Sequence, residues 1–224
     1  MYGGLRPLRI RQLTVAAGEQ VGLAGFDQTT AEVFVNLVTG STLPESGLVR
    51  AFGRATADIT DSDDWLKQVD RFGIVSERIV LLEQFTGAQN IAMSLTLELE
   101  PLPPESRARA EALAGDVGLG ADMGRPVAEL SAAARHRVRI ARALAGQPAI
   151  LLVEHPHAGL DEADVAPLAG DLRRAAAARG LSIIVLAAEA RHATAFATRV
   201  LSLNGATGEL TETRAGWWKR WSRK

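Results

Sequence analysis

The stretch LSAAARHRVRIARAL occupies residues 130–144, and ILLVEHP follows it at residues 150–156. Ser131 is a favoured helix N-cap, so we predict a helix that begins there and ends near Gly146. The apolar run at residues 149–153 is short and rich in Ile, Leu and Val, which predicts a buried strand. A helix that leads into a buried strand is typical of an α/β protein.

The alternation of strands and helices extends in both directions from this stretch. Upstream, alternating apolar residues over 8–15 predict a strand, and a second strand at 20–24 leads through Gly25-Phe26-Asp27 into a helix. Downstream, Asn204-Gly205 marks a hairpin turn into residues 209–211. A block of helices separates the two α/β segments, which predicts one interleaved domain rather than two in series. The remaining predicted elements are strands at 71–75, 182–186 and 200–203, and helices at 28–38, 86–97, 105–114, 131–145, 162–179 and 191–198.

Composition excludes several classes of function. The 224 residues carry a net charge of −1, which argues against nucleic acid as a partner. The sequence has no cysteine, so it forms no disulfide and no Cys-ligated zinc site. Its apolar runs are far shorter than the roughly 18 residues that span a bilayer, and its N-terminus has no signal-peptide pattern. We therefore expect a soluble cytoplasmic protein that reaches a membrane through partners.

Residues 130–161 resemble the motifs of the ATP-binding cassette (ABC) family: LSGGQ, RV-x-IARAL, LLLLDEPT and GLD. The likeness extends to residues 22–25 and 90–93, and it is closest to the small cassettes of lipoprotein-release and cell-division-type transporters. The resemblance implies an α/β P-loop NTPase (RecA-like) core of ABC ATPase type with an N-terminal β-subdomain and an inserted α-helical signature subdomain. The implied division is a first core segment with the β-subdomain at 1–76, the helical signature subdomain at 77–146, a second core segment at 147–213 and a basic Trp-rich tail at 214–224.

The phosphate loop departs from the family pattern. An intact loop has the pattern G-x-x-x-x-G-K-[ST], in which bare backbone N–H groups and a lysine bind phosphate oxygens. At the corresponding positions of this chain, Asp27 replaces the second glycine and Gln28 replaces the lysine. We expect Asp27 to cap the following helix, which stabilises a helix by about 0.5–2 kcal/mol. Nucleotide binding here is then weak or absent. The candidate nucleotide-binding positions are Gly22, Gly25, Asp27, Gln28, Thr29 and Thr30.

The catalytic positions implied by the resemblance are also altered. Glu154 and His155 replace the Asp-Glu pair that holds magnesium and polarises the attacking water. Thr29 and Glu154 remain candidate ligands for a weakly bound metal ion, and His155 is either a base or a packing residue. Glu77 replaces the Q-loop glutamine and Ala188 the switch histidine, for which His192 is the alternative.

The signature keeps its serine, Ser131, but has Ala132, Ala133 and Ala134 where the family has Gly-Gly-Gln. Family cassettes work as head-to-tail pairs, in which the signature of one subunit faces the ATP of the other. The positions of this chain that correspond to that half are Ser131, Ala132, Ala133, Ala134 and Asp161. They either support a partner's site or form a purely structural helix.

Three features suggest contacts outside the nucleotide site. Residues 79–85, which we call the docking segment, resemble the region that receives the coupling helix of a membrane permease. Leu82 and Phe85 are the candidate exposed residues of such a surface. A role of the segment in the core is equally compatible with the sequence. Tyr2 is a candidate for stacking on adenine. The tail combines basic residues with Trp217, Trp218 and Trp221, a mixture that suits a membrane surface or a fold over the protein itself.

The sequence thus supports a degenerate, pseudo-ATPase cassette that pairs with an active cassette and couples it to a membrane permease. ATP and Mg²⁺ are then expected at the partner's site only, and the chain is expected at the cytoplasmic face of the membrane. Two alternatives stay open: an atypical active ATPase, and a scaffold or regulatory protein that uses the fold without a transporter.

Overall fold

A computed structural model describes residues 7–213 of the chain. Its centre is a six-stranded sheet, and a separate two-stranded ribbon lies outside it. The sheet order is β4-β5-β6-β1-β7-β8. The strands are β1 (Gln20–Ala24), β2 (Arg50–Ala51), β3 (Arg54–Ala55), β4 (Phe72–Val75), β5 (Ile150–Glu154), β6 (Ser182–Ala187), β7 (Arg199–Asn204) and β8 (Glu209–Glu212).

The direction of the strands decides where a site can form. Strands β1 and β4 to β7 are parallel, and β8 pairs with β7 in the antiparallel sense, as the predicted hairpin requires. The carboxyl ends of the parallel strands therefore lie at one edge, where ligands of open α/β sheets bind. Ala24, Val75, Glu154 and Ala187 are the last residues of β1, β4, β5 and β6 at this edge.

Six of the helices correspond to predicted ones, and α2 was not predicted. Ser131 and Asp27 accept hydrogen bonds from the first turns of their helices, which confirms both as N-caps. The helices are α1 (Gln28–Thr39), α2 (Ser62–Val69), α3 (Gly87–Ala92), α4 (Pro104–Asp116), α5 (Ala132–Ala145), α6 (Glu162–Ala177) and α7 (Ala190–Phe196). Short 3-10 turns lie at Thr56–Asp58, Gly120–Gly124 and Val127–Glu129. Within residues 7–213, no helix is long and apolar enough to span a bilayer.

The core lies on both faces of the sheet, because alternate side chains of each strand point to opposite faces. One face packs against α3 to α6, and Leu151, Val153 and Ile183 lie in that cluster. The other face packs against α1, and Leu152, Ile184 and other side chains lie there. The α/β fold is confirmed, while the division into subdomains stays a prediction.

Two predicted elements differ in the structure. Residues 8–15 form no strand, although their apolar side chains pack against the core beside a cavity of about 460 Å³. The alternation of apolar residues therefore indicates that one side of the segment is buried, and it does not indicate hydrogen bonds to a neighbouring strand. The helix predicted to reach residue 97 ends at Ala92, because the N–H groups of Ser94 and Leu95 bond three residues back instead of four.

Candidate functional site

The connection between β1 and α1 is much shorter than the motif implies. Strand β1 ends at Ala24 and α1 begins at Gln28, so three residues separate them. Gly22, predicted as the first loop glycine, lies inside β1 instead, which corrects that prediction. A Cβ atom at Gly22 would lie 2.8 Å from the Cβ of Ala193. Glycine is therefore required there by close packing of α7 on the sheet rather than by a ligand.

The backbone of this short loop is bonded to the protein itself. The N–H of Gly25 donates to the carbonyl of Ala188, and the N–H of Phe26 donates to that of Ala187, both at 3.1 Å. Phe26 is fully buried and packs edge-on against Phe34, with ring centroids 5.6 Å apart. The loop therefore lies against the end of β6.

The start of α1 is occupied by the side chain of Asp27. Its Oδ1 atom accepts from the N–H of Thr30 at 2.8 Å, and its carbonyl accepts from Ala31 at 2.9 Å. The hydrogen bond from the Thr30 N–H lowers the pKa of Asp27, and the nearby His155 lowers it further. The helix end that attracts anions in related folds thus faces a carboxylate that the chain supplies. Thr29 is exposed at the same end.

Glu154 closes β5 and is enclosed by hydrogen-bond donors. Its side chain is 1% exposed. Oε1 accepts from Arg78 Nη2 at 2.5 Å. Oε2 accepts from Ser76 Oγ at 2.7 Å, from Arg78 Nε at 3.1 Å and from Gln28 Nε2 at 3.3 Å. The guanidinium thus binds the carboxylate with two parallel hydrogen bonds, which is the strong geometry for such a pair.

Arg78 is the charged residue around Glu154 that the sequence did not predict. It lies directly after Glu77, the position that the resemblance singles out, and its Nη1 atom also lies 3.2 Å from Oε1 of Glu32 on α1. The hydrogen bond to Glu154 raises the pKa of Arg78, so the guanidinium is permanently charged. Glu77 is exposed and acts electrostatically on His136 and Arg139 of α5. The signal in the sequence that could have identified Arg78 was a basic residue three positions beyond the end of β4.

The four histidines of the chain gather beside this edge. His155 has a φ of 44°, and its buried Nε2 atom has no hydrogen-bond partner within residues 7–213. His157 stacks on His192 with ring centroids 3.7 Å apart, and burial together with these neighbouring rings lowers the pKa of His157 to about 4. Burial also lowers the pKa of His136, whose Nε2 lies 2.9 Å from the Ala158 carbonyl.

The ring of His155 lies 6.2 Å from that of His157, and Ala188 has no side-chain group that bonds a phosphate. His192, the alternative switch histidine, is held by its stack on His157. In the described region of the chain, no group of three His, Asp or Glu side chains is arranged to hold a metal ion.

The signature end of α5 is partly exposed. Ser131 is exposed and its Oγ accepts from the N–H of Ala134 at 3.2 Å. The methyl groups of Ala133 and Ala134 are buried inside the helical block, so Ala132 is the one substituted alanine that reaches the surface. Asp161 precedes α6, is exposed and makes no capping bond.

The docking segment is partly core and partly surface. Leu81 is buried, whereas Val80 is 69% exposed, and the predicted exposed pair Leu82 and Phe85 is half-buried. The buried amide of Asn90 bonds both the N–H and the carbonyl of Leu82, at 2.8 and 3.0 Å. The segment therefore has a fixed backbone and one strongly exposed apolar side chain.

Several predicted contact residues lie outside the described residues of the chain. They are Tyr2, Trp217, Trp218 and Trp221. Their predicted contacts with adenine and with a membrane stay predictions.

The parallel sheet, with a loop and a helix following its central strand, is consistent with a P-loop NTPase fold. Comparison with known proteins narrows this class. Residues 8–158 match the family model described as ABC transporter. The chain therefore belongs to the ABC transporter family.

Several curated relatives whose names describe transport are about one third identical to this chain over the aligned residues. Similarity to the lipoprotein-releasing system ATP-binding protein LolD of Pseudomonas fluorescens is 33% identity over 150 residues, covering 67% of this chain and 66% of that protein. The phosphonates import ATP-binding protein PhnC of Anaeromyxobacter dehalogenans is 33% identical over 189 residues, covering 81% of this chain and 38% of that protein. The methionine import ATP-binding protein MetN of Brucella abortus is 32% identical over 206 residues, covering 91% and 55%. The chain thus spans between 38% and 66% of the length of these relatives.

Solved structures support the fold. A dimeric ATP-binding cassette in a post-hydrolysis state bound to ADP and Pi superposes with a TM-score of 0.73 at 24% identity, covering 90% of this chain and 88% of that one. The cbiO1 protein of Clostridium perfringens, part of an ABC transporter complex, gives a TM-score of 0.75 at 20% identity, covering 89% and 78%.

Proposed function

We propose that this chain is a degenerate nucleotide-binding subunit of an ABC transport complex. It pairs with an active cassette and couples that cassette to a membrane permease, while its own phosphate site does not work. The observation that carries the proposal is the three-residue connection between β1 and α1, whose backbone and helix end are bonded to the protein itself.

ATP does not fit this loop. A phosphate is bound by backbone N–H groups gathered around it and by a cation that reaches its outer oxygens. Gly25 and Phe26 donate to carbonyls of the β6 end, and Asp27 bonds the first turn of α1. Asp27 also places a negative charge where a triphosphate would carry its own, and Gln28 supplies no positive charge. A bound triphosphate would have to break these bonds and overcome the repulsion.

Magnesium does not fit beside Glu154. Mg²⁺ demands octahedral oxygen ligands and keeps several waters. Both oxygens of Glu154 are bonded to donors, and Arg78 already supplies the charge that balances the carboxylate. The buried Nε2 of His155 is not open to a water molecule that it would have to activate. An active ATPase built from Glu154 and His155 is therefore the weaker alternative.

The signature half supports the pairing with another cassette. Ser131 is exposed and Ala132 is half-buried at the start of α5, and a helix N-terminus favours phosphate oxygens. Asp161 is free to contact a partner. ATP and Mg²⁺ then bind at the phosphate loop of the partner, and the signature end of α5 covers them from the other side.

The permease contact is assigned to the docking segment. Val80 is exposed next to a backbone that Asn90 fixes, which suits a stable apolar contact. The chain would thus be peripheral, at the cytoplasmic face of the membrane, held there by the permease.

The test is the ATPase activity of the assembled complex. The chain is co-purified with a cassette that has an intact loop and with a permease, and two variants are compared. Ala132→Glu adds a carboxylate at the first residue of α5, which favours the helix but repels phosphate, so turnover of the complex should fall at least tenfold. Thr29→Ala changes the exposed end of α1 and should leave turnover unchanged.

Other results would reject the proposal. Robust turnover by the isolated chain would identify it as an active ATPase. Failure of any permease and cassette to co-purify would favour the scaffold alternative.

A further inference from the structure

We propose that Arg78 is a built-in cation that takes the place of a metal ion at Glu154 and fixes the docking segment to the core without nucleotide. This inference rests on the proposed function, since it explains how an empty site still presents a defined surface to a permease. Arg78 is a positioning residue in this role, because it acts through Glu154 and the docking segment.

The first step is the charge balance at Glu154. A carboxylate that is 1% exposed needs a partner of opposite charge, because an uncompensated buried charge is strongly destabilising. Arg78 supplies that charge through a two-point contact, while Ser76 and Gln28 complete the hydrogen bonds of the carboxylate. No added cation is needed for the site to be stable.

The second step is the connection that Arg78 makes. Its guanidinium contacts Glu154 on β5 and Glu32 on α1, and its backbone leads directly into the docking segment. One side chain therefore joins the central sheet, the helix after the short loop, and the surface proposed for the permease.

The third step is the support further along the docking segment. Arg142 of α5 donates from Nη1 to the carbonyl of Val80 at 3.0 Å, and Asn90 binds the backbone of Leu82. Glu83 lies 3.8 Å from Arg135 of the same helix. The docking segment is thus tied at its beginning, middle and end by side chains of this chain. We infer that its position is the same with and without nucleotide.

Hydrogen exchange of the isolated chain tests this directly, whether or not a partner exists. In the wild type, 5 mM Mg-ATP should leave amide exchange of residues 76–85 unchanged, and Mn²⁺ should not raise the melting temperature. Arg78→Met keeps an unbranched apolar stem and removes the guanidinium with its charge. It should speed exchange in residues 76–85 at least tenfold and lower the melting temperature by roughly 10 °C. Arg78→Lys should restore part of both, because it keeps the charge but not the two-point contact.

The matched control is Arg54→Met. Arg54 forms an ion pair with Asp64 at 2.7 Å, but its side chain is 41% exposed, so the melting temperature should fall by less than about 2 °C. The double variant Arg78→Met/Glu154→Leu removes both charges and should recover most of the stability while exchange of the docking segment stays fast. This variant decides the question if Arg78→Met does not fold.

Two results would overturn the inference. The first is a change in the amide exchange of residues 76–85 of the wild type when Mg-ATP or Mn²⁺ is added. The other is a double variant whose docking segment exchanges as slowly as in the wild type. The first outcome would also contradict the empty phosphate site of the proposed function. The second bears on Arg78 alone and leaves the proposed function unchanged, so the two failures are distinguishable.

Discussion

Removing the carboxylate of Asp27 should destabilise the fold without creating a nucleotide site. Asp27→Ala deletes the acceptor that binds the Thr30 N–H at 2.8 Å, and loss of such an N-cap costs about 1 kcal/mol. For a domain of 224 residues, this corresponds to a fall in melting temperature of roughly 2–4 °C. The pKa of Asp27 is lowered in the fold. Its contribution is therefore present above the unfolded pKa and is lost only as the pH falls through the folded one, so the effect should be equal at pH 7 and pH 5.

Urea denaturation of the wild type, Asp27→Ala and Asp27→Asn measures this effect. Asn is as good an N-cap as Asp, so Asp27→Asn should lose only a few tenths of a kcal/mol. Asp61→Ala is the matched control, because Asp61 caps α2 in the same way, accepting from Asp64 at 2.9 Å, far from the loop. An unchanged denaturation midpoint in Asp27→Ala would refute the capping role. Micromolar Mg-ATP binding by that variant would show that the carboxylate alone, and not the short loop, had prevented binding.

Three further changes test other regions of the structure. Gly22→Ala should destabilise by about 1–3 kcal/mol because its Cβ would meet Ala193, and Ala193→Gly in the same chain should recover part of the loss in a thermal melt. Asn90→Ala should cost about 2 kcal/mol in urea, because it leaves backbone groups of Leu82 unpaired. The folded pKa of His157, about 4, is below its unfolded value of 6.5. The neutral imidazole therefore contributes fully to stability above pH 6.5, and this contribution is lost as the pH falls to 4. In His157→Gln, the urea midpoint should depend less on pH between 6.5 and 4 than in the wild type.

Much of the fold could be predicted because its signals are local. Capping residues, apolar runs and the Asn204-Gly205 turn each report a few neighbouring residues, and these elements lie where they were predicted. The segment at 8–15 failed because alternation reports which side is buried, whereas a strand also needs a partner for its backbone.

The candidate site was predicted only incompletely, because its geometry depends on distant contacts. The altered positions Asp27, Gln28 and Glu154 were identified, but the count of residues in the motif placed Gly22 in the loop. Whether a glycine lies in a strand depends on the helix packed against it. The pairing of Arg78 with Glu154 joins residues 76 positions apart in the sequence, and no local pattern reports it.

Calorimetric titration of Mg-ATP into the isolated wild-type chain tests the closed loop most directly. The bonded backbone of Gly25 and Phe26 and the capped start of α1 predict no saturable binding tighter than about 1 mM. A single site with a dissociation constant on the order of 1 µM would contradict a loop that is closed to triphosphate.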